Sequence, residues 1–147
     1  MNKKRTKIEN ILYDFNKLKV RIKNIEIDLY NLSNDITIKA VTYEERTGST
    51  NTFNSTVENE VIRREEKVKK EIDYLKAKLK HSNDLKLKIE SSLNELSTIE
   101  RKLIELRYFS RDKKTWLEIG MTLGFDKDYC IKIKNKALDK IYDMIYY

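Results

Sequence analysis

The chain has 147 residues, 37% of them charged and 39% hydrophobic, and contains no proline. That length holds one ordinary domain, or a small domain plus an extended helical arm, and the composition suits long, solvent-washed helices better than a large compact core. A net charge of +7 fits a polyanionic partner such as nucleic acid, while one cysteine (Cys130) and one histidine (His81) exclude an internal disulfide, a cysteine-rich zinc site and any histidine pair.

In chain order, the first pattern is a seam of Ile8, Ile11, Phe15, Leu18, Ile22, Ile25, Leu29, Leu32 and Ile36, with spacings alternating three and four. It predicts a long amphipathic helix over 1–41, coiled-coil-like, whose other faces are Lys, Asn, Asp and Glu. Neither an apolar signal core nor a run near the roughly 20 residues needed to span a bilayer occurs, so a cytoplasmic protein with no membrane association is expected. Residues 42–56, TYEERTGSTNTFNST, lose the periodicity and predict a flexible loop. Ser55 and Glu58 then form a capping-box pattern, in which each side chain satisfies an otherwise orphan backbone N–H. It opens a second long helix over 57–90, with Val57, Val61, Val68, Ile72, Leu75 and Leu79 leading towards Ile89. The two helices are expected to pair, either antiparallel in one chain or across a dimer. His81 lies among polar residues and reads as a surface side chain.

The texture changes near residue 93, and a helical domain is expected over 93–147. Two further capping boxes, Ser97 with Glu100 and Thr115 with Glu118, open its first two helices. Two of the chain's three glycines, Gly120 and Gly124, stand four residues apart between two helical patterns. Gly120 is mid-helix, where glycine costs about 1 kcal/mol relative to alanine, so a close approach to the backbone by a neighbouring helix is expected. Gly124 follows the last apolar residue of its helix, where a left-handed ending is needed. Phe125 then folds back towards the core, and Asp126 caps the next helix. That helix has Cys130, Ile133, Ala137, Leu138 and Ile141 as its inner face, which makes Cys130 a core residue rather than a nucleophile. Trp116 is likewise expected in the core. Tyr142, Tyr146 and Tyr147 pack on the domain or on a partner.

Helix, glycine-bearing turn, helix is the helix-turn-helix pattern, whose second helix lies in the DNA major groove. Its outward positions here are Lys127, Asp128, Tyr129, Lys132 and Lys136. Lysine donates to guanine O6 and N7 or neutralises phosphate, and tyrosine bonds phosphate or packs on a thymine methyl. Asp128 accepts from cytosine N4 or complements the helix dipole. Lys114 and Thr115, where the first helix of the pair begins, complete the candidate DNA-binding set. Catalysis finds no support in the sequence: there is no phosphate-cradling glycine loop, no base beside a nucleophile and no clustered carboxylates, so no cofactor and no metal are expected.

Residues 93–145, with "LSTIERKLIELRYFSRDKKTWLEIGMTLGFDKDYCIKIKNKALDKIY" at their heart, resemble region four of bacterial sigma factors, the module that reads the −35 promoter element. Leu96, Glu100, Arg101, Arg107, Tyr108, Thr115, Glu118, Ile119, Gly120, Leu123, Gly124, Lys136, Ala137, Leu138 and Lys140 carry the likeness. Asp126 replaces the usual serine cap, and Ile131 stands where a polar exposed residue is usual, which alters the base-reading pattern. The helices before residue 91 do not supply the fold that melts the −10 element, so a complete sigma factor is not expected. The whole arrangement is similar to phage late-gene regulators of the ArpU and RinA type, with "NSTVENEVIRRE" resembling the join between their parts. The resemblance implies an all-α protein with a long N-terminal helical arm and a C-terminal domain of sigma region four type. It also implies a sequence-specific regulator, an activator by expectation, of phage or prophage late genes in a low-GC Gram-positive host. Its partners would be double-stranded DNA, RNA polymerase and a second copy of the chain, a dimer being favoured, and its place the host nucleoid. Two other functions fit the same features: an adaptor that contacts RNA polymerase without base readout, and a small terminase-like DNA-packaging subunit.

Overall fold

The computed structural model describes residues 2–44 and 54–147, with side chains described for 2–35 and 57–147. The protein is all-α: among the described residues there is no strand. The elements are α1 (Lys3–Glu44), α2 (Asn54–Asn94), α3 (Thr98–Ile104), a π-helical turn (Glu105–Phe109), α4 (Trp116–Leu123) and α5 (Lys127–Ile145). α1 and α2 run to Glu44 and from Asn54, so both reach into the stretch expected as loop, while 45–53 lie outside the described residues. Ser55 of the expected Ser55–Glu58 capping box and Ile36 fall among the undescribed side chains.

The chain divides into two compact units, one of residues 1–20 with 84–147, the other of residues 21–83. α1 and α2 each contribute to both. In the unit of 21–83 the buried stripe of α1 is Ile22 and Ile25, with Leu29 and Leu32 half-buried. On α2, Val61, Val68, Ile72, Leu75 and Leu79 are half-buried, whereas Val57 and Ile62 are exposed. Val57, expected on the α2 seam, is exposed instead; the other described positions follow the seams read from the sequence, and His81 is exposed as expected.

The other unit is larger than the expected 93–147 domain: the compact body takes in nine more residues of α2 and the first twenty of the chain. The physical reason is that α3, α4 and the inner stripe of α5 do not close a core alone. α1 supplies Ile8, Leu12, Phe15 and Leu18, all buried, and α2 supplies Ile89 and Leu93. They join Leu96, Leu103, Ile104, Tyr108, Ile119, Cys130, Ala137, Leu138, Ile141 and Ile145. In its first turns the α1 seam passes through Leu12, fully buried, rather than Ile11, which is half-buried. Ile8 and Leu12 form an i,i+4 pair on one helix face.

The π-helical turn directs consecutive aromatics at α1. The wider i→i+5 turn leaves Tyr108 edge-on to Tyr13, with ring centroids 4.7 Å apart, and Phe109 against Phe15 at 5.0 Å. Tyr108 donates its hydroxyl to Glu9 Oε1 at 2.8 Å. Burial first, and then the Glu9 carboxylate, raise the Tyr108 pKa well above the ordinary range, so the phenol keeps its proton and its donor role.

The capping box of α3 forms as read. Glu100 N–H donates to Ser97 Oγ at 3.3 Å, and Ser97 N–H donates to Glu100 Oε2 at 3.0 Å. Glu100 is buried and receives the Lys140 ammonium at 2.8 Å. Burial alone would raise its pKa, but the hydrogen bonds from Lys140 and Ser97 outweigh it and hold the carboxyl below its ordinary value of 4.5. A depressed carboxyl contributes stability that is complete above its unfolded pKa and is lost as pH falls through the folded one. Glu100→Gln is therefore expected to cost about 1 kcal/mol at neutral pH through the lost charge-assisted bond. In thermal melts across pH, its deficit relative to wild type should close below the ordinary carboxylate pKa of 4.5. A deficit that persists unchanged into acid would show that the Lys140 pair contributes nothing.

Candidate nucleic-acid interface

α4 begins as the sequence dictates: Thr115 Oγ1 accepts from Glu118 N–H at 3.3 Å, and Glu118 Oε2 accepts from Thr115 N–H at 2.8 Å. It ends at Gly124, whose φ of 79° is left-handed and costs glycine no steric penalty. The N–H groups of Gly124 and Phe125 both donate to Gly120 O, at 2.8 and 2.9 Å. A Cβ on Gly120 would lie 2.5 Å from Phe125 O. The close approach expected at Gly120 is real, but it comes from the carbonyl of its own turn and not from a neighbouring helix. Asp126 Oδ1 then accepts from Tyr129 N–H at 2.7 Å and starts α5.

α5 carries three distinct surfaces. Cys130, Ala137, Leu138, Ile141 and Ile145 are buried, with Ile133 half-buried, which is the inner face read from the sequence with Ile145 added. A second surface lies along α1. Lys134 Nζ bonds Glu9 Oε1 at 3.2 Å, and Asp139 takes both Arg5 Nε and Nη2, at 2.8 and 2.6 Å. The third surface is exposed, and Asp139, three residues beyond Lys136, lies at its border with the second. Asp128, Lys132 and Lys136 form an i, i+4, i+8 row, with Lys127 in the first turn and Tyr129 alongside, and all five are exposed. Among the described residues none of Lys127, Lys132 and Lys136 has an acidic partner. Lys140 differs, because Glu100 already holds it. Tyr129 keeps its exposure while its ring rests on Phe125, centroids 5.0 Å apart. Ile131 is half-buried.

The two remaining candidates sit where α4 begins. Lys114 is half-buried and its carbonyl accepts from Arg107 Nη1 at 2.7 Å. Thr115 is exposed, with its oxygen engaged in the cap and its hydroxyl hydrogen still available to an acceptor. Trp116 is half-buried rather than a sealed core residue. Arg107 lies over its ring at 4.6 Å and Lys134 at 5.5 Å, so its face receives cations at the rim of the core. Cys130 is buried, and its thiol pKa is raised by that burial and then by Asp126, which keeps it unreactive.

Sequence reasoning missed the contribution of the chain start. Lys4 Nζ lies 4.9 Å from the Tyr142 ring centroid and Lys7 Nζ 3.8 Å from that of Tyr146. The basic run NKKRTK was visible, yet nothing in its spacing announces that it lies beside residues 134–146. Of the three terminal tyrosines, Tyr142 and Tyr146 pack within this unit, with ring centroids 5.0 Å apart, while Tyr147 is fully exposed. Among the described residues no group of His, Cys, Asp and Glu is disposed to hold a metal, and no helix is long and apolar enough to cross a membrane.

A family described as "Protein of unknown function (DUF722)" matches residues 4–143 of the chain. The match spans nearly the whole sequence, and the chain belongs to that family. No curated protein and no solved structure matches it.

Proposed function

We propose that this member of the DUF722 family is a sequence-specific DNA-binding transcription regulator, of activator type, that oligomerises through its long helices. α4, the Gly124 turn and α5 serve as a helix-turn-helix, with α5 entering the major groove. One observation carries the reading. Lys127, Lys132 and Lys136, free of acidic partners, line the surface of α5 that neither the core nor α1 covers. Other exposed lysines, such as Lys67, Lys76 and Lys80 of α2, also have no acidic partner among the described residues, so what sets these three apart is their place on the helix that follows the Gly124 turn. A groove-docking helix needs them unpaired and outward. The resemblance to sigma region four and to ArpU- and RinA-type regulators supports phage or prophage late genes as the target. The exposed Ile27, Tyr30, Val57, Ile62 and Tyr74 of the unit of residues 21–83 suit burial against a second copy.

The test is selection of bound duplexes from random DNA by the full chain, followed by salt titration of affinity on the winning site. Lys127→Ala combined with Lys132→Ala is expected to weaken binding roughly ten- to a hundredfold and to lower the salt slope by about 2. Unchanged binding by that double variant would remove α5 as the reading helix.

A second reading is supported by exposed Leu117 and Met121 on α4 and, separately, by a groove lined by Lys102, Glu105, Leu106, Phe109, Thr122 and Leu123. These suit a protein partner, and RNA polymerase is the one the resemblance implies. Polymerase capture with no duplex binding would favour an adaptor. Ring-sized assemblies in light scattering, in place of a dimer, would favour a packaging subunit.

A further inference from the structure

We propose that Lys3, Lys4 and Lys7 of α1 form a second DNA-contacting surface, a cationic flank that meets the phosphate backbone beside the groove that α5 enters. The inference rests on the duplex-binding reading above and assigns that site an additional, sequence-independent part.

Three contacts fix where the flank lies. Glu9 meets Lys134, Arg5 meets Asp139, and Lys4 meets the Tyr142 ring, so the first turns of α1 lie beside the C-terminal half of α5. Lys3, Lys4 and Lys7 are exposed there. The aromatic rings hold Lys4 and Lys7 in place on one side and leave their ammonium groups open to water on the other.

Arg5 has a separate effect. Asp139 lies three residues beyond Lys136 at the border of the outward surface of α5, where a bare carboxylate would repel a phosphate strand. The two-pronged Arg5 bond, at 2.8 and 2.6 Å, neutralises it and holds its pKa below the ordinary carboxylate value. Asp143, one turn further, is exposed and has no cationic partner among the described residues, and it marks where the favourable surface ends.

Helix length places the flank against DNA. A helix of 19 residues is roughly 28 Å long, whereas the major groove is about 12 Å wide. With its N-terminal half in the groove, the C-terminal half of α5 overruns onto the bordering strand, and the lysines of α1 arrive there. These cations do nothing for the helix that carries them. The first turn of α1 has no acidic residue, so its charge opposes the helix dipole.

The test is salt titration of the full chain on its selected duplex and on a scrambled duplex of equal length, with Lys3→Gln/Lys4→Gln beside Lys127→Ala/Lys132→Ala. The α1 variant is expected to lose roughly ten- to a hundredfold affinity on both duplexes, to lower the salt slope by about 2, and to keep the ratio between them. Lys3→Arg/Lys4→Arg should restore the slope, and an unchanged thermal melt should accompany all three results. A slope unaltered by the α1 variant, while the α5 variant lowers it, overturns the flank and leaves the duplex reading intact. Wild-type protein that binds neither duplex overturns both.

Discussion

A chain lacking residues 2–20 is expected to lose its C-terminal helical unit altogether, as is a fragment restricted to 93–147. Ile8 and Leu12 are fully inaccessible, and Phe15 and Leu18 are buried beside them. Burial of each such side chain contributes about 1.5–3 kcal/mol. Four of them approach the roughly 5–15 kcal/mol that separates a whole small domain from its unfolded state. The deletion also strips Glu9 from the Tyr108 hydroxyl and from Lys134, and Arg5 from Asp139. Leu12→Ala alone should cost about 2–5 kcal/mol, since a fully enclosed leucine leaves a cavity that its neighbours refill only in part. Circular dichroism melts and amide NMR dispersion of the three proteins check this. A 93–147 fragment that melts cooperatively at the wild-type temperature would show that the first twenty residues are an accessory and not a wall of the core.

Gly120→Ala is the point substitution with the most direct steric prediction. Its new methyl would stand 2.5 Å from Phe125 O, and that obstacle is backbone, not the yielding end of a side chain. The same turn fastens the Gly124 and Phe125 N–H groups to Gly120 O, at 2.8 and 2.9 Å, so relief means loosening both bonds. Overpacking of this kind costs about 1–3 kcal/mol, and the immovable neighbour puts it at the upper end. Alanine returns about 1 kcal/mol through its better helix propensity. A net loss of about 2 kcal/mol is expected, or roughly 10 °C in melting temperature for a unit this small. Gly124→Ala separates crowding from backbone conformation. Nothing lies within 4 Å of a Cβ there, so only the φ of +79° is penalised, by about 1 kcal/mol. If Gly120→Ala melts like wild type while Gly124→Ala does not, the carbonyl contact is not made in solution.

Local features of this fold were legible and distant ones were not. Ser97 with Glu100, Thr115 with Glu118, and Asp126 before Tyr129 are pairs three residues apart, and such short-range chemistry is written directly in the chain. The left-handed Gly124 and the buried row Cys130, Ala137, Leu138 and Ile141 follow from equally local rules. The outward set Lys127, Asp128, Tyr129, Lys132 and Lys136 is the complement of that row, so its exposure followed too. The partner of Gly120 was misassigned because a glycine announces that something comes close without saying what. Trp116 was placed too deep, since an apolar period does not reveal that Arg107 and Lys134 will cover the ring. The compact unit extends beyond residues 93–147 for a related reason. A heptad seam is satisfied equally by a coiled-coil partner and by a globular body, and α1 uses both solutions along its length: the first twenty residues serve one unit and those after Val20 serve the other.

That division has a consequence for the order of events in biosynthesis. The walls of the C-terminal unit are contributed by residues 1–20 and 84–147, with all of 21–83 between them. Residues 1–20 leave the ribosome before 84–147 and wait, their apolar stripe uncovered, until α5 has been made. Closing so long an intervening segment costs entropy before any contact rewards it, which slows assembly. The pairing of neighbouring helices within 21–83 needs only a short closure, and once formed it shortens the search that remains. A ribosome that stalls before α5 is complete therefore leaves a chain in which the unit of 21–83 can form while the core of the other unit stays open.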